Sequence, residues 1–575
     1  MTFTVWAPAQ ERVRLQVDGR VHAMTRATGG WWTADLSGTD YAFLLDDDDT
    51  ALPDPRSTWQ PNGVHKPSRV YNHNTFLWTD QSWTGRALPG SVVYELHIGT
   101  FTPEGTFDAA IGKLDHLVEL GITLVEVLPV NSFDGTDGWG YDGVLWGAVH
   151  EPYGGPDGFK RLIDACHARG LGVALDVVYN HLGPSGAYLG RFGPYFAGQN
   201  DWGPGLNLDG PNSDEVRRYV IDNALSWFRD FHVDALRLDA VHALVDRRAV
   251  HLLEQLATEV EALSANLARP LTLIAESDLN DPKLVTAREA GGYGLNAQWS
   301  DDMHHSLHVA LSGETGGYYE DFAAPGALAR TLREVFFHAG SWSSFRERTH
   351  GRPVDTHRIP GHRFLAYLQN HDQIGNRATG DRLSATVSPG LLACGAAIVF
   401  CSPYTPMIFM GEEWAASTPW QFFASFPDPA LAEAVRTGRR REFGRHGWGE
   451  ADVPDPMDPA TVERSRLKWT ELTQPGHRDI LGLYRSLIAL RRDHPVLANP
   501  RLDTLTVHHA SDDSWIALHR GNIRLVCNLS RKSATVPLDG DSKEVLLSWG
   551  DAVLSGNGVR VPAESFVLLT VSPAR

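Results

Sequence analysis

The spacing of apolar and polar side chains divides the chain into three parts. Residues 1 to about 85 alternate apolar and polar positions in short runs separated by Gly, Pro and Asp, which predicts a small β-sandwich. From about residue 90 short apolar runs alternate with helical periodicity, and after about residue 500 strand-like runs return. We therefore expect an N-terminal β-sandwich with its linker over residues 1–88, a strand–helix domain over 89–499 and a C-terminal antiparallel β-sandwich over 500–575.

The middle part of the chain carries eight short apolar runs with helical periods between them. Residues 157–170, for example, place apolar side chains at i, i+3, i+4 and i+7, and residues 213–231 begin with Ser213 and two acidic residues, which predicts a Ser cap. Eight such alternations predict an α/β fold, a (β/α)8 barrel of parallel strands enclosed by helices. The predicted strands are residues 92–98, 123–129, 172–179, 233–239, 271–276, 295–300, 364–370 and 406–411. The insert at about 180–212, rich in Gly, Pro and aromatic residues, is expected at the carboxyl ends of the strands.

Length, charge and cysteine content narrow the class of protein. The 575 residues are too many for one ordinary core, and a formal net charge of −19 disfavours binding to nucleic acid. Four cysteines without a CxxC pair predict neither a disulfide framework nor a zinc site, and the sequence has no phosphate-binding loop, dinucleotide fingerprint or HExxH motif. The first residues lack a signal-peptide pattern and the longest apolar stretch is too short for a membrane span. We therefore expect a cytoplasmic protein without a cofactor and without a membrane or nucleic-acid partner.

One short run, DALRLDAVH at residues 234–242, is unusual for a buried strand. Arg237 and Asp239 lie two residues apart and point to the same side, while Leu236 and Leu238 take the other side. Taken alone, such a pair is more often a structural ion pair, because buried charges are normally paired. The alternative is a carboxylate that the adjacent guanidinium holds ready for chemistry.

Further carboxylates lie at the ends of the predicted strands. Asp176 is in the third strand, Asp239 ends the fourth, Glu276 ends the fifth and Asp372 follows the seventh. In a (β/α)8 barrel these ends converge on one rim, so the side chains are expected to cluster. Clustered carboxylates suit either a metal ion or the cleavage of a glycosidic bond, in which one acid protonates the leaving oxygen and a carboxylate attacks the sugar.

The surroundings of the two central carboxyl groups separate their expected roles. Arg237 would keep Asp239 ionised, as a nucleophile requires. Glu276, desolvated and near a negative neighbour, would have a raised pKa, which suits an acid that works near neutral pH. The pattern therefore favours glycosidic chemistry by double displacement.

Four short segments, in this order along the chain, resemble the signature regions of the α-amylase family of glycoside hydrolases. They are DVVYNH at 176–181, LRLDAVH at 236–242, IAESD at 274–278 and QNHDQ at 369–373. The resemblance covers almost the whole chain and implies a (β/α)8 barrel that acts on α-glucans. It implies Asp239 as the nucleophile, Glu276 as the general acid/base and Asp372 as a third carboxylate that grips and distorts the bound sugar.

The same resemblance implies positions that bind the sugar. Tyr141, in GWGYDGV, matches the aromatic platform under that sugar, and Arg237, His181 and His371 match its polar contacts. Asn180 matches a calcium-ligand position of many α-amylases, but no partner ligand loop is evident in the sequence. No metal site is therefore expected.

Other candidates depend on their place near the strand ends, and each has a structural alternative. Trp202 either stacks on an acceptor sugar or pins its loop, and His242 either lines the acceptor side or packs as a rim histidine. Gln373 and Asn376 would contact hydroxyl groups if their loop faces the site. A polar cluster after the sixth strand is either a helix cap with surface histidines or a set of hydrogen-bond partners for sugar hydroxyls. The cluster consists of Asp301, Asp302, His304 and His305.

The α-amylase family includes both hydrolases and transferases, so the reaction must be inferred from further segments. The N-terminal sandwich and the segments VVYELHIGTFTPEGTF and VNSFDGTDGWGYDGV resemble both glycogen-branching enzymes and a subgroup that releases trehalose. The segments GVHKPSRV, VVYNHLGPSGAYL, IAESDLNDP, AQWSDDMHHSLH and RTGRRREF favour the second, in which water cleaves the α-1,4 bond next to the terminal trehalose of an α-glucan oligosaccharide. The alternatives are a 1,4-α-glucan branching enzyme and a non-catalytic α-glucan-binding protein. Intact Asp239, Glu276 and Asp372 disfavour the last of these.

Overall fold

The N-terminal part of the chain forms two small antiparallel sheets. The structure, a computed structural model, describes residues 1–444 and 453–572. The first strands are β1 (Thr2–Trp6), β2 (Val13–Val17), β3 (Arg20–Ala23), β4 (Thr25–Arg26), β5 (Trp31–Asp35), β6 (Asp40–Leu45) and β7 (Ser68–Arg69). One sheet has the strand order β1–β5–β4 and the other the order β3–β2–β6–β7.

The middle part of the chain contains a closed barrel. Its strands are β8 (Val93–Leu96), β9 (Leu124–Val127), β10 (Asn131–Ser132), β11 (Leu145–Val149), β12 (Gly172–Val177), β13 (Phe196–Asn200), β14 (Gly203–Leu206), β15 (Ala235–Leu238), β16 (Thr272–Ala275), β17 (Ala297–Trp299), β18 (Ser341–Ser343), β19 (Arg348–His350), β20 (Phe364–Ala366) and β21 (Thr405–Phe409). Eight of them, in the order β8–β9–β12–β15–β16–β17–β20–β21, close into a parallel barrel, which confirms the predicted (β/α)8 fold. Each barrel strand ends one to four residues before its predicted end, because the last residues leave the sheet for the rim. The pairs β10–β11, β13–β14 and β18–β19 form antiparallel ribbons outside the barrel.

Helices alternate with the barrel strands. They are α1 (Ile98–Phe101), α2 (Phe107–Ile111), α3 (Leu114–Leu120), α4 (Gly155–His167), α5 (Leu189–Phe192), α6 (Ser213–Asp230), α7 (Leu252–Leu267), α8 (Asp301–Ser312), α9 (Ala327–Glu334), α10 (His371–Gly375), α11 (Pro389–Cys401), α12 (Pro429–Gly444), α13 (Pro459–Ser465), α14 (His477–Asp493) and α15 (Pro495–Ala498). The predicted Ser cap on α6 is wrong. Asn212 occupies the N-cap position at a φ of 62°, a left-handed conformation that Asn tolerates, and Ser213 is already the first helical residue.

Side chains fill the barrel interior in an apolar layer and a charged layer. The apolar layer includes Val93, Leu124, Ala174, Ala235, Ile274, Leu365 and Met407. Because side chains alternate along a strand, the next inward position on four of these strands carries a charged residue. The register pairs Glu95 with Glu126 and Asp176 with Arg237, and all four side chains are buried. The charged layer therefore lies at the carboxyl ends of the strands, just beneath the rim.

The C-terminal part returns to antiparallel sheets. Its strands are β22 (Leu505–His509), β23 (Trp515–Arg520), β24 (Ile523–Asn528), β25 (Ala534–Pro537), β26 (Ser542–Trp549), β27 (Val553–Ser555), β28 (Gly558–Val561) and β29 (Ser565–Val571). They form a five-stranded sheet, β22–β23–β24–β29–β26, and a three-stranded sheet, β25–β28–β27. The domain boundaries at residues 88 and 500 remain predictions. Among the helices of the two described ranges, none combines the length and the apolar character that a membrane crossing needs.

Candidate active site

A cleft of about 520 Å³ opens at the carboxyl ends of the barrel strands. Asp239, Glu276 and Asp372 all line it, as the convergence of strand ends predicted. Asp239 directly follows β15, Glu276 directly follows β16, and Asp372 lies in α10, six residues beyond the end of β20. The short helix α10 is fixed at its start by Asn370, whose side chain accepts a hydrogen bond from the backbone N–H of Gln373 at 2.9 Å.

The Arg237–Asp239 pair is both an ion pair and part of the cleft. Nη1 of Arg237 lies 2.6 Å from Oδ1 of Asp239 and also donates to both carboxylate oxygens of Asp176, at 2.9 and 3.0 Å. Asn180 donates from Nδ2 to the other oxygen of Asp239 at 2.6 Å. The guanidinium is buried and stacks over the ring of Trp299, 4.3 Å from its centroid. Asp239 is therefore held by two donors with its carboxylate at the edge of the cleft.

Glu276 occupies an environment that favours its protonated form. Burial raises the pKa of Glu276, the charge of Arg237 opposes this shift and that of Asp239 adds to it, and together they bring the pKa to about 8. Oε2 of Glu276 accepts a hydrogen bond from the backbone N–H of Ala240 at 2.5 Å and lies 3.8 Å from Nη2 of Arg237. A carboxyl group that keeps its proton near pH 7 is suited to act as a general acid.

Tyr141 and His371 form one hydrogen-bonded unit with the charged layer. The hydroxyl of Tyr141 donates to Oδ2 of Asp176 at 2.6 Å and accepts from Nε2 of His371 at 2.8 Å. His371 also donates from Nδ1 to Glu95 at 2.5 Å. Burial alone would lower the pKa of His371, but the charges of Asp372 and Glu95 and the hydrogen bond to Glu95 raise it to about 9. The imidazole is therefore a cation at neutral pH, beside the carboxylate of Asp372.

The insert after β12 supplies an aromatic wall. Trp202, in the turn between β13 and β14, stacks on His181 with ring centroids 5.9 Å apart, and 47% of its residue surface is exposed. His181 donates from Nε2 to the carbonyl of Tyr141 at 3.0 Å. His242 meets the edge of Trp202 and accepts a hydrogen bond from the backbone N–H of Asp278. Trp202, His181 and His242 all line the cleft, so the insert and the loop after β15 share one wall.

The polar cluster after the sixth strand divides between the cleft and the interior. His305 lines the cleft. Asp301 is not among the lining residues and lies next to them, where it accepts hydrogen bonds from Tyr367 at 2.5 Å and from the cleft residue Gln373 at 3.4 Å. Asp302 instead accepts from Asn280 and from the backbone of His338, both at 2.9 Å. His304 donates to the carbonyl of Leu368 at 2.7 Å and accepts from Tyr319 at 3.1 Å.

Asp302 and His304 are therefore corrected from sugar contacts to interior residues. Asp302 lies about 100° around α8 from Asp301 and is bonded to Asn280 and the backbone of His338. His304 lies on the same helix face as Asp301 and His305, but the carbonyl of Leu368 and the hydroxyl of Tyr319 take both of its ring nitrogens. Gln373 and Asn376, predicted on the condition that their loop faces the site, do line the cleft.

Several cleft residues have no counterpart among the sequence predictions. Asp142 lies within the GWGYDGV segment and Asp278 within the IAESD segment. Their place in these two motifs could have identified them as cleft residues. Phe345 and Arg346 come from the β18–β19 ribbon, which carries no recognised motif, and Arg346 pairs with Asp278. The complete set of missed cleft residues is Trp139, Asp142, Ala240, Asp278, Tyr318, Phe345, Arg346, Phe422 and Arg439.

Comparison with known proteins agrees with this geometry. The family model "Alpha amylase, catalytic domain" matches residues 67–193, and the model "Domain of unknown function (DUF3459)" matches residues 500–568. A malto-oligosyltrehalose trehalohydrolase of Mycobacterium tuberculosis (strain ATCC 25618 / H37Rv) is 54% identical over 574 residues, which are 99% of this chain and 98% of that protein. A Salmonella typhimurium protein described as an alpha amylase, whose crystal structure is known, is 38% identical, with a TM-score of 0.91 over 99% of this chain and 97% of that one.

The similarity to branching enzymes is weaker and shorter. A 1,4-alpha-glucan branching enzyme of Vibrio parahaemolyticus is 30% identical over 355 residues, which are 53% of this chain and 47% of that enzyme. The branching enzyme therefore matches only about half of this chain, whereas the trehalohydrolase of Mycobacterium tuberculosis matches nearly all of it.

Proposed function

The chain belongs to the malto-oligosyltrehalose trehalohydrolases of the α-amylase family, and on that premise we propose that it hydrolyses the α-1,4 bond beside the terminal trehalose of an α-glucan oligosaccharide. The observation that carries the chemistry is Arg237, which donates to Asp239 and lies 3.8 Å from Glu276. One guanidinium thus pairs with the attacking carboxylate, while burial keeps the proton on the neighbouring acid. The preference for trehalose is supported by the names of the full-length relatives.

The first step forms a covalent intermediate. Asp239 attacks the anomeric carbon of the glucose at the catalytic centre, and the C–O bond to the trehalose unit breaks. Glu276 gives its proton to the departing oxygen, so trehalose leaves as a neutral alcohol. The products of this step are free trehalose, a glycosyl ester on Asp239 and an ionised Glu276.

The second step consumes water. The carboxylate of Glu276 takes a proton from a water molecule as its oxygen attacks the anomeric carbon, and the ester bond to Asp239 breaks. The glucan leaves with a hydroxyl group at C1 and both carboxyl groups return to their starting states. Two inversions give net retention, so the new reducing end is the α-anomer.

The other central residues position the sugar. Tyr141 is held by Asp176 and His371 and offers its ring as the platform beneath the glucose. Asp372 binds hydroxyl groups of that glucose. The His371 cation, whose two ring N–H groups donate to Tyr141 and Glu95, holds the platform and the charge of Asp372 in place, and His181 lines the cleft. These interactions favour a distorted ring close to the oxocarbenium-like transition state.

The acid fixes where trehalose binds. The oxygen that Glu276 protonates must lie within hydrogen-bond reach of its carboxyl group, so trehalose occupies the wall formed after β15, β16 and β17. That wall presents His242, Asp278, His305 and the Phe345–Arg346 pair, and Trp202 from the insert after β12 borders it beside His242. Flat aromatic faces alternate there with polar groups, an arrangement suited to a sugar.

Product analysis on two substrates tests the proposal. One substrate is a maltooligosaccharide that ends in trehalose, and the other is a plain maltooligosaccharide of equal length. We expect rapid release of trehalose from the first and little attack on the second, with the α-anomer appearing first in a proton NMR time course. Formation of α-1,6 branches on long glucans without trehalose release would contradict the proposal in favour of a branching enzyme. Absence of any bond cleavage would indicate a glucan-binding protein.

A further inference from the structure

One wall of the cleft takes no part in the proposed chemistry. It is formed by Trp139, Asp142, Asn376, Phe422 and Arg439. In the closed barrel β8 lies four strands from β16 in either direction and so stands opposite it, with β9 and β21 on its two sides. Trp139 and Asp142 follow β9, and Phe422 and Arg439 follow β21. This wall therefore lies across the cleft from Glu276.

The orientation of the α-1,4 chain in the cleft indicates that this wall contacts the glucan part of the substrate. Within an α-1,4 chain each glucose is linked through C1 and C4, which are opposite corners of the ring. When C1 of the central glucose faces Glu276 and the departing trehalose, its C4 faces the other wall. The next glucose of the chain must then lie along this wall, which includes Phe422 and Arg439.

We propose that the guanidinium of Arg439 and the ring of Phe422 bind this second glucose and so determine how much kcat/KM rises when the glucan is longer. The inference rests on the proposed function, because the direction of the chain follows from the role of Glu276. It assigns a specificity-determining role to Arg439, which lies in the RTGRRREF segment singled out in the sequence.

The contacts of Arg439 hold its guanidinium in a defined plane. Its charged group lies 5.0 Å from the ring centroid of Phe422 and 4.5 Å from that of Phe443. Nη2 donates to the carbonyl of Gly375 at 2.5 Å. Gly375 ends α10, the helix that carries Asp372, and Trp139 packs so closely on it that an added Cβ would stand 2.1 Å from the indole. The cleft wall is therefore rigidly connected to the third carboxylate.

This arrangement suits a sugar. Of the five N–H donors of this guanidinium, one on Nη2 goes to Gly375 and one on Nη1 goes to Glu442 at 3.2 Å, so within the described residues the remaining donors can serve sugar hydroxyl groups. The adjacent Phe422 offers an apolar face for the C–H groups of the ring. A purely structural role for Arg439, bracing α10 through Gly375, predicts a different pattern of effects, and two substrates separate the two roles.

The test compares glucosyltrehalose with maltosyltrehalose. Glucosyltrehalose fills the catalytic centre and the trehalose wall only, whereas maltosyltrehalose adds one glucose at the proposed position. The enzymes are the wild-type protein, the variants Arg439→Ala, Arg439→Lys and Phe422→Ala, and Arg441→Ala as a matched control. Arg441 lies on the same helix and its side chain is exposed. The readout is kcat/KM for each substrate and their ratio, which does not depend on the fraction of protein that is active.

We expect Arg439→Ala to lower kcat/KM for maltosyltrehalose about 10- to 100-fold, the range for lost hydrogen bonds to a charged group, and to change the value for glucosyltrehalose less than about twofold. Arg439→Lys and Phe422→Ala should lower the ratio by smaller factors, and Arg441→Ala should leave it unchanged. Equal losses on both substrates would mean that Arg439 only braces α10, and unchanged values on both would mean that it does neither. Either result would overturn the proposed role of Arg439 and leave the proposed hydrolysis untouched. A wild-type enzyme that releases no trehalose would overturn the proposed function together with it.

Discussion

The centre and the rim of the cleft hold their side chains in different ways. At the centre, Asp239 and Glu276 directly follow barrel strands, and Arg237, within β15, is buried and bonded to two carboxylates. At the rim, Trp202 and Phe345 come from two-stranded ribbons outside the barrel, and about half of each residue is exposed, 47% and 54%. The barrel thus fixes the carboxyl groups that we propose make and break bonds, whereas projecting ribbons supply side chains that we propose contact the sugar.

The largest expected effect comes from removing a central carboxyl group. Asp239→Ala and Glu276→Gln should each lower kcat by about four orders of magnitude, because one removes the nucleophile and the other the transferable proton. Thermal unfolding should stay close to that of the wild-type protein, since both groups lie at the edge of the cleft. The measurement is steady-state release of trehalose together with a melting curve. Activity within tenfold of the wild type in either variant would refute the assigned roles.

The next largest effect tests the guanidinium between the carboxylates. Arg237→Lys should lower kcat about 100-fold, because a point charge cannot reproduce the fork that reaches Asp176 and Asp239 together. The free energy of unfolding should fall by about 3 kcal/mol, since one buried carboxylate loses its partner. Urea unfolding and steady-state kinetics on the same preparation measure both. A variant with full activity but lower stability would reduce Arg237 to a structural ion pair.

The pH dependence of kcat/KM tests the protonation state of the acid. Only the protonated form of Glu276 can start the reaction, and its pKa is raised to about 8, so activity is retained at neutral pH and falls about tenfold per unit above pH 8. Loss of the proton from His371, with a pKa of about 9, should steepen the fall at higher pH. Residual activity of Glu276→Gln should lack the limb near pH 8. An unchanged limb in that variant would assign the titration to another group.

Substitutions at the rim should have the smallest effect on the reaction. Trp202→Ala and Phe345→Ala should each raise KM for a trehalose-ended substrate about 10-fold, equivalent to about 1.4 kcal/mol, with kcat and stability nearly unchanged. Asp302→Asn is the matched control, because Asp302 lies behind the same wall and faces the interior. It should lower the free energy of unfolding by about 1 kcal/mol and leave KM unchanged. Rim variants that lose stability and keep KM would remove the distinction between centre and rim.

The sequence by itself determined the barrel and its reactive centre. Eight alternations of apolar runs and helical periods predicted (β/α)8 topology, and that topology requires the ends of all eight strands to meet on one rim. Asp239, Glu276 and Asp372 could therefore be placed together without coordinates, because their position depends on chain connectivity and on the two-residue period of strands. The same period placed Arg237 beside Asp239.

Only the tertiary structure decided which side chains around that centre face the cleft. Asp302 and His304 share a segment with His305, yet the orientation of α8 against β20 and the loop at His338 directs them inward. Phe345 lies in the β18–β19 ribbon and Arg439 in α12, both distant in sequence from Asp239 and Glu276. Their local sequence does not determine that their side chains line the cleft. The physical reason is that strand-end positions follow from backbone geometry, whereas loop and helix side chains take the direction that packing with distant segments allows.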